Sequence, residues 1–456
     1  MKDVLIIKRD ELLALAEERR FAIAREILLD IPAPDTAELL SELDSQLLTA
    51  FFRLLSKEKA AEVFVELDTD VQRELIERFS EGELGSILDE MYLDDTVDLI
   101  EEMPATVVKR IIRSAPRENR TLINKLLKFP KDSAGAIMTT EYVRFTRDMT
   151  VRDALAHIKD VAIDKETIYT SYVTDKERHL IGIVTARSLM LSEADTLLSD
   201  IMEEQVVYAE TSSDKEEVAN LFNRYGFIAL PVVDSERRLV GIVTVDDAMD
   251  VMREETEEDF AKMAGITPAK TTYLKTSVLS IWKSRIPWLL LLMISATFSS
   301  TILNRFEAAL PAVLILFVPM LMDTGGNSGG QTSVTVIRSL SLGEISPRDV
   351  LSVLWKELRV GLLTGISLGL VAFGKVMLVD CLIMQNEAVT LSVALAVAVT
   401  LAITVFTSKL IGALLPIGAK RIGLDPAVMA SPFITTLVDA ASLLLYFFIA
   451  GSVFSL

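Results

Sequence analysis

The chain has 456 residues, a net charge of −19, 50% hydrophobic residues and a single cysteine. That length exceeds one hydrophobic core and requires several domains, the acidic balance repels nucleic acid, and a lone thiol rules out an intrachain disulfide framework. Residues 286–456 hold nine acids and nine bases, so the whole negative excess lies in residues 1–285.

The N-terminus, MKDVLIIKRDELLALAEE, has too short an apolar run and no small-residue cleavage site for a signal peptide, so the acidic half is expected in the cytoplasm. Apolar residues then recur every 12 positions, at Ile31, Leu43, Leu55, Leu67, Phe79, Met91 and Met103. They are followed by Pro32, Asp44, Ser56, Asp68, Ser80, Tyr92 and Pro104, mostly residues that cap or open helices. The pattern predicts short helices of about eight residues stacked into a superhelix, a scaffold suited to docking.

A second repeat follows. SYVTDKERHLIGIVTARSLM at 171–190 aligns with LPVVDSERRLVGIVTVDDAM at 230–249, an offset of 59 residues. Each copy predicts a strand, a charged turn, a GIVT strand and a helix, and Ile137-Met138 and Ile201-Met202 open the two units. The duplicated segment, over residues 137–253, resembles a tandem of CBS domains. The resemblance implies paired regulatory modules that bind adenine nucleotides or ions.

Residues 246–272 read as a charged helix that Gly265 and Pro268 stop or bend. Five apolar runs come next, near Ile286–Leu303, Ala308–Leu340, Val360–Val379, Ala388–Ser408 and Val428–Leu456, each approaching the length of a membrane span. Lys275, Lys283 and Arg285 precede the first. Arg338, Arg348, Lys356 and Arg359 fall between the second and third, and Lys409, Lys420 and Arg421 between the fourth and fifth. The other loops are poor in bases, so the N-terminus is expected in the cytoplasm and the C-terminus outside.

Two motifs in these spans carry chemistry. In PMLMDTGGNSGGQTSVTVIRSL (319–340), Gly325, Gly326, Gly329 and Gly330 interrupt the run, and Asn327 and Gln331 add neutral oxygen donors. Glycines there permit either irregular backbone lining water or close helix packing. In GLDPAVMASPFITTLVD, Pro426 and Pro432 bend or start the last span, which carries Asp439. A carboxylate inside a bilayer is costly and points to a pore, a cavity or a cation, the alternative being a pairing with Lys409 or a backbone cap. One acid is too few to strip a dication of water, but two copies meeting at a two-fold axis would neutralise one hydrated ion. The expected lack of an intramembrane base near Asp439 argues against anion transport.

Acids also cluster at helical spacing outside the spans. Asp94 and Asp98 lie four apart, and Asp247, Asp250, Glu255, Glu258 and Asp259 recur near three- and four-residue spacing. Like charges so placed oppose helix formation unless a cation screens them. His157 and His179 are isolated, so no soft-metal site is expected. No P-loop, nucleophile elbow or kinase signature is present, so no enzyme activity is expected.

The order of these parts, with TGGNSGGQ, LDPAVMASP and TTLVD, looks like the MgtE family of bacterial Mg²⁺ channels over essentially the whole chain. The resemblance implies a mostly α protein. Its parts would be a superhelical helical-repeat acidic domain (1–130), α/β CBS domains (131–200 and 201–253), a connecting plug helix (254–284) and a transmembrane domain of five helices (285–456). It implies a homodimer among the lipids of the cell inner membrane, with Asp439 coordinating hydrated Mg²⁺ at the dimer axis and Asn327 in a turn beside the pore. Glu62, Asp94 and Asp98 match first-domain ligands facing Asp247. Glu216, Asp250, Glu255, Glu258 and Asp259 match ligands between the CBS and plug elements. Mg²⁺ is then both cargo and regulator, closing the channel from the cytosol, and ATP is a candidate regulator of the CBS pair. The sequence departs from the family pattern at Gly226, where an acid is expected, and at Ser431 and Gly330, where amides are often seen. From the residues alone, two rivals stay open. One is a channel for Mn²⁺, Co²⁺ or Ca²⁺. The other is a membrane-anchored ion or nucleotide sensor that transports nothing.

Overall fold

The 12-residue period becomes a helical staircase in the computed structural model, which describes residues 2–162, 165–268, 273, 276–307, 311–429 and 431–454. Ten helices fill the first 126 residues: α1 (Lys2–Glu17), α2 (Phe21–Asp30), α3 (Ala33–Ser41), α4 (Ser45–Phe52), α5 (Lys57–Val65), α6 (Thr69–Arg78), α7 (Glu81–Glu90), α8 (Leu93–Glu102), α9 (Ala105–Ser114) and α10 (Arg117–Leu126). The expected starter residues stand at their N-caps. Asp44 accepts from the backbone N–H groups of Gln46 and Leu47, and Ser80 and Glu83 form a reciprocal capping box. Ile31, Leu67, Phe79, Met91 and Met103, one per repeat, are buried in the shared core.

The GIVT repeat gives two sheets of the same order. β1 (Tyr142–Thr146) pairs parallel with β2 (Thr167–Thr174), which pairs antiparallel with β3 (Leu180–Thr185). In the second unit β4 (Ala209–Glu210), β5 (Ala229–Val233) and β6 (Leu239–Thr244) repeat the arrangement. The helices of this part are α11 (Val151–Val161), α12 (Ala186–Leu191), α13 (Leu198–Ile201), α14 (Lys215–Tyr225) and α15 (Val245–Met263). Tyr172 and Leu180 from one sheet and Val233, Leu239 and Ile242 from the other form a core joining the two units. The second unit also shares a core with α1–α10, through Val218, Phe222 and Val243. Gly226, where an acid was expected, caps α14 in the left-handed region at φ 67°, a conformation that a side chain disfavours.

By contacts the chain divides into residues 1–252 and 253–456, and each unit is described by itself. The second contains α16 (Val278–Glu307), α17 (Ala312–Ile315), α18 (Val318–Ser341), α19 (Val350–Lys375, continued by a π-helical stretch Val376–Ile383), α20 (Leu391–Arg421) and α21 (Ser431–Phe454). Four of these helices are long and apolar enough to cross a membrane, namely α16, α19, α20 and α21. The remaining long helix, α18, is 24 residues but carries the polar run from Asp323 to Ser333. α20 packs against α18, α19 and α21.

The structure decides three points in this region. The glycines of 325–330 do not break the backbone: α18 runs through them as one helix. They are needed for packing, because a Cβ at Gly325 would lie 2.7 Å from Thr404 Cγ2 and one at Gly326 2.8 Å from Thr435 Cγ2. Lys409 is not in a loop. It sits mid-helix in α20 and is only 6% exposed. Pro432 starts α21 rather than bending it.

At the tightest crossing, a Cβ on Gly412 of α20 would strike the carbonyl of Gly329. Gly412→Ala should therefore cost about 1–3 kcal/mol and lower the unfolding midpoint of the detergent-solubilised protein. Gly418→Ala, on the same helix with open space around it, should leave the midpoint unchanged or slightly raised.

Candidate functional site

Glycine packing brings α18 and α21 side by side, and this sets the first cluster. Gly326 lies against Thr435 and Gly325 against Val438, so the helices run past each other with Asp323 close to Asp439. Asp439 is half-buried, and its Oδ1 is enclosed with no hydrogen-bond partner among the described residues. No ion pair joins it to Lys409 among those residues, so the alternative pairing is not realised. An orphaned carboxylate oxygen at membrane depth needs a partner that the described residues do not supply. Asp323, Asn327 and Gln331, four apart on α18, form an exposed polar stripe. Asp323 was not singled out from the sequence, although its four-residue phase with Asn327 and Gln331 was legible.

Lys409 is a buried base inside α20, bonded away from Asp439. Its Nζ donates to Thr332 Oγ1 at 3.3 Å, and the Thr332 hydroxyl donates to Glu357 Oε2 at 3.1 Å.

The second cluster lies in the first unit. Asp94 and Asp95 occupy the first turn of α8, where free backbone N–H groups favour negative charge. Carboxylate oxygens of Asp94, Glu141 and Glu166 lie within 4.8 Å of one another. Asp246 and Asp247, from the start of α15, also act on this group, and Asp247 accepts from the Thr244 hydroxyl at 2.5 Å. Burial first, then the charge of Asp247, pushes the Asp94 carboxyl well above the usual range. The same causes push Asp95 up to about 7 and Glu166 to about 8. Burial and Asp246 push Asp247 up to about 6, against the Thr244 hydrogen bond. The Glu166 Oε2 atom is enclosed without a hydrogen-bond partner among the described residues. Oxygen-only donors in a crowded acidic set suit a hard divalent cation.

Of the acids expected here, Asp94 and Asp247 come together. Asp98 and Asp250 are exposed, Glu62 is exposed and pairs with Lys59 at 3.4 Å, and Glu216 sits half-buried in the first turn of α14. Sequence reading missed Asp95, Glu141 and Glu166. Four-residue spacing pairs Asp94 with Asp98 on one helical face and gives no signal for the adjacent Asp95. Glu141 and Glu166 precede separate strands, and no local pattern links them.

Glu255, Glu258 and Asp259 lie on the later part of α15, in the second unit. Asp259 Oδ2 accepts from the Ser341 hydroxyl at 3.1 Å, where α18 ends. Burial pushes the Asp259 carboxyl up, Ser341 opposes this and Asp425 adds to it. Lys262 Nζ bridges Glu258 and Asp425, each at 2.6 Å, and Met263 packs with Ile337 and Ala427. The end of α15 is therefore fastened to the segment just before α21, the helix that carries Asp439. Glu255 is half-buried.

Comparison with known proteins gives one consistent result. Residues 318–449 match the family described as divalent cation transporter (MgtE), residues 31–132 the MgtE intracellular N domain, and residues 134–194 and 198–254 the CBS domain. The chain is 37% identical to the magnesium transporter MgtE of Thermus thermophilus, over 99% of this chain and 98% of that one. It is 32% identical to the magnesium transporter MgtE of Bacillus subtilis, over 98% and 97%. Among solved structures, the cytosolic domain of the Mg²⁺ channel MgtE in complex with ATP covers 53% of this chain and 99% of its own, with 37% identity and a TM-score of 0.51. The soluble part of a magnesium transporter covers 55% and 99%, with 32% identity and a TM-score of 0.52.

Proposed function

This chain belongs to the MgtE family of magnesium transporters, and from that membership we propose that it is a Mg²⁺ channel of the cytoplasmic membrane, shut from the cytosol by Mg²⁺ itself. It moves an ion rather than catalysing a reaction and is not an enzyme. The observation that carries the pore is the enclosed, unpartnered oxygen of Asp439 beside Asp323. In this reading two copies meet across α18 and α21. The polar stripe of Asp323, Asn327 and Gln331 then faces water between the copies, not lipid. Mg²⁺ gives up its water shell reluctantly, so paired Asp439 carboxylates hold the hydrated ion without stripping it. The N-terminus is cytoplasmic and the C-terminus outside, in line with the distribution of bases.

Gating follows from the acidic clusters. In this reading Asp94, Asp247 and the newly found Asp95, Glu141 and Glu166 take up cytosolic Mg²⁺ within the first unit. Glu62, Asp98, Glu216 and Asp250 supply further ligands at its rim, and Glu255, Glu258 and Asp259 a second set on the plug part of α15. At low Mg²⁺ the like charges repel and the closed arrangement loses population. An adenine nucleotide at the CBS pair is an added regulator, a reading supported by the similar cytosolic domain solved in complex with ATP.

Limited proteolysis of the purified full chain tests the gating. Millimolar Mg²⁺ should slow cleavage across residues 246–275, and digestion there that ignores Mg²⁺ would overturn the mechanism.

A further inference from the structure

Beside the proposed pore lies a second polar space. A cavity of about 200 Å³ is lined on α18 by Asp323, Asn327, Ser328 and Gln331, on α19 by Thr364, and on α20 by Lys409. Such a lining inside an apolar bundle is rich in oxygen donors suited to a hard cation. Ser328 is 7% exposed, and its Oγ has no hydrogen-bond partner among the described residues. The cavity is therefore furnished for an occupant that its own hydrogen bonds do not provide.

Lys409 explains how the chain deals with this space. Its stem passes Gly361 of α19, where a Cβ would lie 3.6 Å from Lys409 Cδ, and its ammonium reaches Thr332 on α18. Glu357, bonded to the same threonine hydroxyl, supplies the counter-charge. Asp323 and Thr332 are separated by about 13 Å along α18, given 1.5 Å per residue. The cavity thus has a carboxylate at one end and an ammonium near the other.

We infer that Lys409 is a resident cation of the permeation unit, standing at one end of a side cavity that would otherwise trap a divalent ion. This rests on the pore reading above: Asp323, Asn327 and Gln331 border both the cavity and the conduction route. Conduction needs a site that binds an ion and also lets it go. A fixed positive charge near the route opposes a dication twice as strongly as a monovalent ion. Lys409 keeps the Asp323–Gln331 face from holding Mg²⁺ too tightly.

Two variants of the full chain test this. K409M removes the charge but keeps the reach. K409M/E357Q removes both partners, so the half-buried acid is not left uncompensated and folding is protected. The first readout is equilibrium binding of Mn²⁺ to detergent-purified protein, followed by the resonance of the free ion. Each neutral variant should bind one Mn²⁺ per protomer more than wild type, and K409R should not. The second readout is Mg²⁺ influx into proteoliposomes. The half-saturating concentration should fall about tenfold in K409M/E357Q, with a lower maximal rate, as expected for removal of a unit charge acting on a nearby dication. If K409M and K409M/E357Q match wild type in both bound Mn²⁺ and half-saturation, Lys409 only packs helices and the inference is overturned. The Mn²⁺ count does not depend on transport, so it decides the question even if the pore lies elsewhere.

Discussion

Proteoliposomes carrying Asp439→Ala should take up Mg²⁺ at least about a hundredfold more slowly than wild type, a loss equivalent to roughly 2.7 kcal/mol at the barrier. The physical reason is the bilayer. A dication entering a low-dielectric slab needs fixed negative charge in its path, and the enclosed Asp439 oxygen is placed to supply it. Asp439→Asn separates charge from shape. It retains an oxygen at nearly the same place but no formal charge, so it should lose most of the flux as well, while Asp439→Glu should retain part of it. The neighbours of Asp439 on α21 meet Gly325 and Gly326 through Val438 and Thr435, so helix packing should survive these changes. An unchanged unfolding midpoint would check that. Uptake at the wild-type rate in a correctly folded Asp439→Ala protein would remove this residue from the pathway.

Much of the architecture could be read from local chemistry, because repeats report on local chemistry. Residues such as Asp44 and Ser80 cap helices wherever they occur, so a 12-residue period of caps and core residues specifies a staircase before any tertiary contact is known. The doubled GIVT strand works in the same way. Misreadings arose where one pattern serves two purposes. Gly325 to Gly330 satisfy the description of a broken span, yet glycine also lets helices approach, and the contacts with Thr404 and Thr435 select the second use. Lys409 was assigned to a loop because a hydropathy run stops at a charge. The helix continues because α18 and α19 bury the ammonium and offer it Thr332. Glu141 and Glu166 could not be found at all from spacing. They are 25 residues apart in sequence, and folding alone brings them to Asp94.

The acidic cluster of the first unit should show a Mg²⁺ response that strengthens as pH rises. Asp94 is held well above the normal carboxylate range, Asp95 near 7, Glu166 near 8 and Asp247 near 6, all first through burial. The other acids facing them are Glu66, Glu141, Asp246 and Asp250, whose charge adds to the effect of burial. A carboxyl raised on folding favours the folded state most when protonated. Its contribution is complete below the unfolded value of about 4 and is lost as pH climbs through the folded values, a window of about pH 4 to 8. Without Mg²⁺, the contacts among α8, the segments holding Glu141 and Glu166, and the start of α15 should therefore loosen as pH rises. Mg²⁺ competes with those protons, so the protection it gives should be small near pH 6 and at least about tenfold larger near pH 8.5. Hydrogen exchange of the full chain in peptides covering Leu93–Glu102, compared with and without millimolar Mg²⁺ at each pH, measures this directly. Asp94→Asn with Asp247→Asn should protect those peptides at high pH without any ion, abolish the Mg²⁺ increment, and leave uptake insensitive to Mg²⁺ on the cytosolic side. A Mg²⁺ increment of equal size at both pH values would mean that the ion does not displace these protons, and the sensor would have to be sought among the acids of α15 instead.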